Sequence, residues 1–383
     1  MHIAWLGKKS PFCGNVTYGR EITNALLDRG HRVSFLHFAQ EDFADKTWRS
    51  DCPEVVLPFL YKSQVYTIPT LRSSQILTRS LAKLKPNIVH ASLTLSTLDF
   101  RLPEICDDLD IPLIATFHPP FDSKLRNLKS STQFITYQLY APFLANYDRV
   151  IIFSNLQKDL LTRLGVPSRK LAVIPNGVDV QKYSPGISHF KARIKTDRLF
   201  VYMGRISTEK NVEAMLKAWK LSNMGSECKL IIVGDGPLKS TLEPFYDLED
   251  GIIWHGFESN EQKRIEILRA ADAFILPSLV EGLSLSLLEA MACGVACIAT
   301  DAGADGEVLE GGAGVTIATQ GVTTQLKTLL PIFRDQPELT QLLGYKGRQR
   351  VLERYTLSRN IASVEQLYGE MLQSRQIPLS RWA

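Results

Sequence analysis

PSLVEGLSLSLLEAMACGVACIATDAG, residues 277–303, is the stretch whose reading decides the fold. An apolar run, AFILPS (273–278), closes at Pro277, and a short loop then carries Glu281 and Gly282. Ser284 stands where a helix cap is wanted, and the apolar spacing after it is helical. A helix starting there aims the free N–H groups of Leu285, Ser286 and Leu287 outward, where hydrogen bonding and the helix dipole both favour a pyrophosphate. Glu289, in the early turns, leans back toward the N-terminus and suits a ribose diol. Glu281, on the loop, suits hydroxyls of a sugar beyond the phosphates, because a carboxylate facing pyrophosphate is repelled. Taken alone, the spacing favours two exposed acids beside an ordinary helix start.

Outward from this stretch the same rhythm repeats. The runs LFVYMG (199–204), KLIIVG (229–234), GIIWHG (251–256) and VACIAT (295–300) are strands, separated by helical segments such as NVEAMLKAWKLS and EQKRIEILRAA. Nearer the start come HIAWL (2–6), an amphipathic run from Tyr18 to Arg29 stopped by Gly30, then VSFLHF, NIVHASL (87–93), PLIATFH (112–118) and RVIIFS (149–154). LAVIPNGVDVQKYSPG (171–186), with two prolines and an Asn-Gly turn, closes the first series. Repeated βα units imply α/β architecture: two Rossmann-like, doubly wound parallel-sheet domains, 1–180 and 181–360, with the C-terminal helix 361–383 packing back on the first. Ligands of such sheets sit at the carboxyl ends of the strands. At one of these ends GRISTEKN places Arg205 and Lys210, two cations able to neutralise a leaving diphosphate without a metal.

The 383 residues, 45% hydrophobic, suffice for two ordinary cores. The six cysteines show no paired metal-ligand spacing and read as core residues of a reducing compartment. The N-terminal MHIAWLGKKS is too short an apolar run for a cleaved signal, and no stretch approaches the roughly 20 apolar residues that span a bilayer. The expectation is a cytoplasmic protein, soluble or peripheral on the cytoplasmic face of a membrane. Of the net charge of +4, all the excess lies early: residues 1–180 carry 21 Lys and Arg against 16 Asp and Glu, the remainder 23 against 24. No acid falls between Glu54 and Asp99, whereas Lys62, Arg72, Arg79, Lys83 and Lys85 do. Within that stretch Ile76, Leu77, Leu81 and Leu84 form an apolar stripe. With Lys124, Arg126 and Lys129 these cations suit an anionic membrane surface, the stripe adding insertion if it is exposed. Nothing calls for nucleic acid. Asp108 and Asp110 make a DxD, but at the amino end of a strand, so no metal site is assigned.

Together these residues resemble family 4 of the glycosyltransferases over nearly the whole chain. The resemblance is carried by Glu281 and Glu289 with seven residues between, by GR followed by Lys210, by VGDGP (233–237) with Gly234, and by IPNGVD (174–179). It implies the GT-B fold with the site in the cleft between two domains, and retention of anomeric configuration. It also implies Arg205 and Lys210 on the diphosphate, Glu281 on the donor sugar, Glu289 on the ribose, and His118 near the transferred sugar. Gly14 corresponds to the glycine-rich approach to the phosphates, although Cys13 stands where a first glycine is commoner. Ala304 likewise replaces a frequent second glycine.

The expected activity is that of a metal-independent hexosyltransferase with no cofactor. It would move a hexose from a nucleotide diphosphate sugar, a UDP-sugar first, to an acceptor hydroxyl on a glycolipid or lipid-linked saccharide. The competing readings are transfer to a soluble saccharide, a nucleotide-sugar epimerase, a phosphorylase, and a non-catalytic sugar-nucleotide binding protein of the same fold. A phosphorylase calls for a lysine-bound pyridoxal group and a much longer chain.

Overall fold

A strand covered by helices on both faces has no wet side and needs no polar alternation, so continuous apolar runs become parallel strands. The computed structural model describes residues 1–9, 14–38, 52–63, 66–121 and 128–376. Cys13, Lys124, Arg126 and the end of the chain after 376 lie outside the described residues, as does the side chain of Lys129. The first series of strands is β1 (His2–Gly7), β2 (Arg32–Phe38), β3 (Glu54–Leu57), β4 (Phe59–Lys62), β5 (Thr67–Pro69), β6 (Ile88–Ser92), β7 (Leu113–Thr116), β8 (Arg149–Ile152) and β9 (Leu171–Val173). Seven of them form a parallel sheet in the order β3-β2-β1-β6-β7-β8-β9, and β4 pairs with β5 as an antiparallel ribbon. β1 and β6 are buried at every position.

The second series is β10 (Arg198–Met203), β11 (Cys228–Val233), β12 (Ile252–Gly256), β13 (Ala273–Leu276), β14 (Ala296–Thr300) and β15 (Val315–Ile317), ordered β12-β11-β10-β13-β14-β15. Each sheet reverses its strand order once, between β1 and β6 and between β10 and β13. Loops leaving neighbouring strands diverge at such a point and open a crevice at the carboxyl ends.

The chain divides into two units. One comprises Met1–His118, Thr136–Pro175 and Arg359–Ala383; the other comprises Pro119–Ile135 and Asn176–Ser358. The join after Pro175 falls inside the proline-bearing 171–186 segment. Phe121 counts with the second unit, where its N–H donates to the Glu281 carbonyl (2.8 Å). Helix Leu357–Gln376 belongs from Arg359 onward to the first unit, where Tyr368 meets His90 Nδ1 at 2.6 Å and Glu365 meets His31 Nε2 at 2.8 Å and the Arg29 guanidinium.

The apolar stripe of helix Leu71–Leu84 proves to be core. Leu77 and Leu81 are wholly buried, and Ile76 and Leu84 half-buried, because the helix lays this face on the sheet. Arg72, Arg79, Lys83 and Lys85 are exposed. The uncovered apolar surface lies instead on the β4–β5 ribbon and just after it, with Leu60 at 74% and Leu71 at 98% exposure and Tyr61, Tyr66 and Ile68 beside them.

Candidate functional site

In the second unit the candidate residues gather at the β10/β13 reversal. β10 ends at Met203, and Gly204 and Arg205 follow. The segment 204–206 continues alongside the one leaving β11, with Gly204 N–H donating to Val233 O and Ile206 N–H to Asp235 O, each at 2.9 Å. Tyr202 OH donates to Arg205 O (2.7 Å), and the Arg205 guanidinium pairs with Glu209. The turn Thr208–Lys210 carries Lys210 toward the loop that leaves β13, where its ammonium lies 2.5 Å from Glu281 Oε1. Ser278 OH donates to the same oxygen at 2.7 Å, and the Glu281 side chain is 8% exposed. Arg205, Lys210 and Glu281 are therefore brought together by the two segments that leave the adjacent strands β10 and β13.

Two glycines make this approach possible. Gly234 has φ +147°, and a Cβ there would lie 1.9 Å from Gly204 O. Gly303, at φ +59°, would put a Cβ 2.1 Å from Glu281 O. The loop after β14 is in turn tied to the Glu281 loop, Ala304 N–H donating to Gly282 O (2.8 Å) and Ser284 N–H to Asp305 Oδ1 (2.9 Å).

Ser284 caps helix Leu285–Ala292, its side chain accepting from Leu287 N–H at 3.4 Å. This partly occupies one of the three amides expected to face a diphosphate and leaves those of Leu285 and Ser286. Glu289 is half-buried about one turn in, close enough to Tyr183 and Cys293 to raise both their pKa values after burial has done so.

In the first unit the residues collect at the β1/β6 reversal. Gly14 opens helix Gly14–Asp28 and is exposed, with open space where a side chain would project. His118 follows β7, its ring edge-on to Tyr18 at 4.9 Å between centroids and 5.3 Å from Phe153. Its Nε2 lies 2.8 Å from Ser92 Oγ, and burial, then nearby Lys8, pushes its pKa down to about 3. At neutral pH it is an uncharged imidazole. Asp110, with φ +51°, and Asp108 lie at the amino end of β7, away from this cluster. So does a surface depression of about 400 Å³ lined by Phe100, Cys106 and Asp148.

The family model Glycosyltransferase Family 4 matches residues 14–182, and the model Glycosyl transferases group 1 matches residues 187–350. The chain belongs to the family 4 glycosyltransferases. A relative from Escherichia coli, UDP-Gal:alpha-D-GlcNAc-diphosphoundecaprenol alpha-1,3-galactosyltransferase, is 26% identical over 239 residues, 58% of this chain and 60% of that protein. The chain spans little more than half the length of the curated relatives it matches. Sucrose-phosphate synthase from Thermosynechococcus elongatus superposes with TM-score 0.78 at 19% identity, covering 97% of this chain and 99% of that one. The Anabaena protein HepE, solved with UDP-glucose, gives TM-score 0.77 at 18% identity, covering 98% and 100%. The fold of this family 4 chain is GT-B.

Several site residues of this family 4 member escape a reading of its sequence. Asp305 is fully buried; its Oδ2 has no hydrogen-bond partner among the described residues, and burial and then Glu281 hold its carboxyl well above the usual carboxylate range. In DAGADGE, Asp305 stands between Ala304 and Gly306 with Asp301 and Glu307 close by, and nothing in that local pattern marks it as the buried acid. Asn15, Ser92 and His90 are small or strand-borne polar residues whose partners lie far along the chain. The one available signal was alternation in NIVHASL, which sets His90 and Ser92 on the same face of β6.

Proposed function

We propose that the chain is a retaining, metal-independent hexosyltransferase that uses a nucleotide diphosphate sugar. The observation that carries this reading is the joining of Arg205, Lys210 and Glu281 with the capped N-terminus of helix Leu285–Ala292 at one strand-order reversal. Cleaving the anomeric C–O bond leaves positive charge on the sugar ring and negative charge on the departing diphosphate. Arg205, Lys210 and the amides of Leu285 and Ser286 supply fixed positive charge for the second of these. Glu281, buried and held by two partners, offers rigid acceptors for sugar hydroxyls. Glu289 takes the ribose, Gly14 leaves room for the phosphates, Gly234 serves that site by letting the segment that carries Arg205 lie close, and His118 serves the transferred sugar. The acceptor hydroxyl attacks the face that the diphosphate leaves, and its proton passes to the departing phosphate oxygen.

UDP is the nucleotide we favour, supported by the UDP-Gal in the Escherichia coli relative's name and the UDP-glucose bound by HepE. The diphosphoundecaprenol in the same relative's name supports a lipid-linked acceptor. Purified protein given a panel of nucleotide sugars and a polyprenyl diphosphate saccharide should release UDP and lengthen the saccharide in excess EDTA. Loss of turnover on chelation, restored by Mn²⁺, would return attention to Asp108 and Asp110. Binding of donor without turnover on any acceptor would favour the non-catalytic reading.

The membrane proposal rests on the exposed Arg72, Arg79, Lys83 and Lys85 together with Leu60 and Leu71, not on the buried stripe. Each cation near an anionic surface contributes about 1 kcal/mol, screened as salt rises. The protein should co-sediment with anionic vesicles at low salt and be released at high salt, and Leu60→Asp with Leu71→Asp should weaken it. Equal binding to neutral vesicles would sink the electrostatic part. Among the described residues no helix is long and apolar enough to cross a membrane.

A further inference from the structure

His118 is held through a chain of hydrogen bonds that fixes which of its nitrogens carries the proton. Asn15 donates its Nδ2 to Leu93 O (3.1 Å), which orients the amide and turns Oδ1 toward Ser92. Ser92 Oγ donates to that Oδ1 at 2.7 Å. A serine hydroxyl has one proton, so its 2.8 Å contact with His118 Nε2 is one in which Ser92 accepts and His118 donates. Nδ1 is then the unprotonated nitrogen of the neutral ring. The three residues come from helix Gly14–Asp28, from the last position of β6 and from the loop after β7, all at the β1/β6 reversal of the first unit.

We infer that Asn15 and Ser92 are positioning residues that lock His118 as the Nε2–H tautomer and so present Nδ1 to the substrate as a hydrogen-bond acceptor for a hydroxyl. A histidine held this way cannot donate from Nδ1. It selects ligands with an O–H at that point and rejects those offering only a lone pair, since two acceptors facing each other leave both unpaired. Among the described residues the charge felt at the ring is that of Lys8, with Tyr18 and the neutral His90 around it, and none of these favours protonation. Asn15 does not touch His118, and its effect runs wholly through the Ser92 proton. Its removal frees that proton to turn toward Nε2, which inverts the tautomer.

This inference rests on the transferase reading only for its kinetic consequence; the tautomer itself is read without substrate. Long-range ¹H–¹⁵N spectra of uniformly ¹⁵N-labelled protein, with His118 assigned by the signal lost in His118→Gln, should show Nε2 protonated and Nδ1 bare at pH 7. Asn15→Ala should move His118 toward the Nδ1–H form and lower kcat/KM for the donor about tenfold, the scale of one reversed hydrogen bond. Ser92→Ala, which removes the acceptor for Nε2–H, should give a mixture of tautomers. A wild-type spectrum with Nδ1 protonated overturns the proposal, and so does a tautomer unchanged in Asn15→Ala or a shifted tautomer with normal kcat/KM. Absence of turnover in the wild type beside the expected spectrum fails the transferase reading and leaves the tautomer assignment standing.

Discussion

Arg205 and Lys210 would do the same electrostatic work, yet their surroundings differ enough for mutation to separate their roles. Arg205 pairs with Glu209 at a part-exposed position, with side-chain exposures of 34% and 22%, and such pairs contribute little to stability. Lys210 neutralises Glu281, whose side chain is 8% exposed and whose other side-chain partner is Ser278. Replacing either cation by Ala should lower turnover at saturating donor roughly 100-fold, as loss of a group stabilising a developing anion does. Only Lys210→Ala should also cost folding stability, on the order of 1–3 kcal/mol, because it strands a buried carboxylate. Glu281→Gln in the same background should recover part of that stability without recovering turnover. Rates near wild type in both single variants would remove these residues from the leaving group, whatever the denaturant midpoints show.

Elements place these side chains by running their ends together, and the glycines at those ends bear the cost. A Cβ on Gly234 would meet Gly204 O at 1.9 Å, so Gly234→Ala has to push the 204–206 segment, and Arg205 with it, away from β11. We expect a loss on the order of 3 kcal/mol, read from chemical denaturation, and a fall in donor turnover that remains when the variant is assayed well below its melting temperature. An unchanged melting temperature would mean that the two segments part without strain. The strands that place the site were legible because each is a buried apolar run: LFVYMG, AFILPS and NIVHASL match β10, β13 and β6 to within two residues or so. β3, β4, β5, β9 and β15, only three or four residues long, were not. The first three mix exposed and covered positions, and three residues are too few to show a period. Glu281, Lys210 and Arg205 could be proposed from spacing and resemblance, but their mutual pairing could not. Asp305 and the Asn15–Ser92 link depend on distant parts of the chain meeting, which no local pattern encodes.

For the whole molecule the buried titratable groups are unevenly shared, and the first unit holds the histidines that must stay neutral. Burial pushes His90 and His118 down to about 3 and also lowers His2 and His37, all four in the first unit. A histidine whose folded pKa is depressed takes up protons more readily when unfolded, so its contribution is fully present above about pH 6.5 and is lost as pH falls toward 3. Asp99, in the same unit, works the other way: burial raises it to about 6, so the folded form binds a proton between that value and the ordinary 3.8 and regains stability on acidification. Four lowered histidines outweigh one raised aspartate, and the first unit should lose stability from pH 7 to pH 5. The second unit contains Asp305, held well above its ordinary range, and none of the histidines lowered among the described residues, so acid should spare it or favour it. Thermal melts followed through Trp5 for the first unit, and through Trp219 and Trp254 for the second, should therefore separate at pH 5 with the first unit melting earlier. His90→Gln, which can keep a hydrogen bond without titrating, should flatten the pH dependence of the Trp5 transition. A Trp5 transition that stays constant or rises between pH 7 and pH 5 would show that these histidines are hydrated well enough to charge in place.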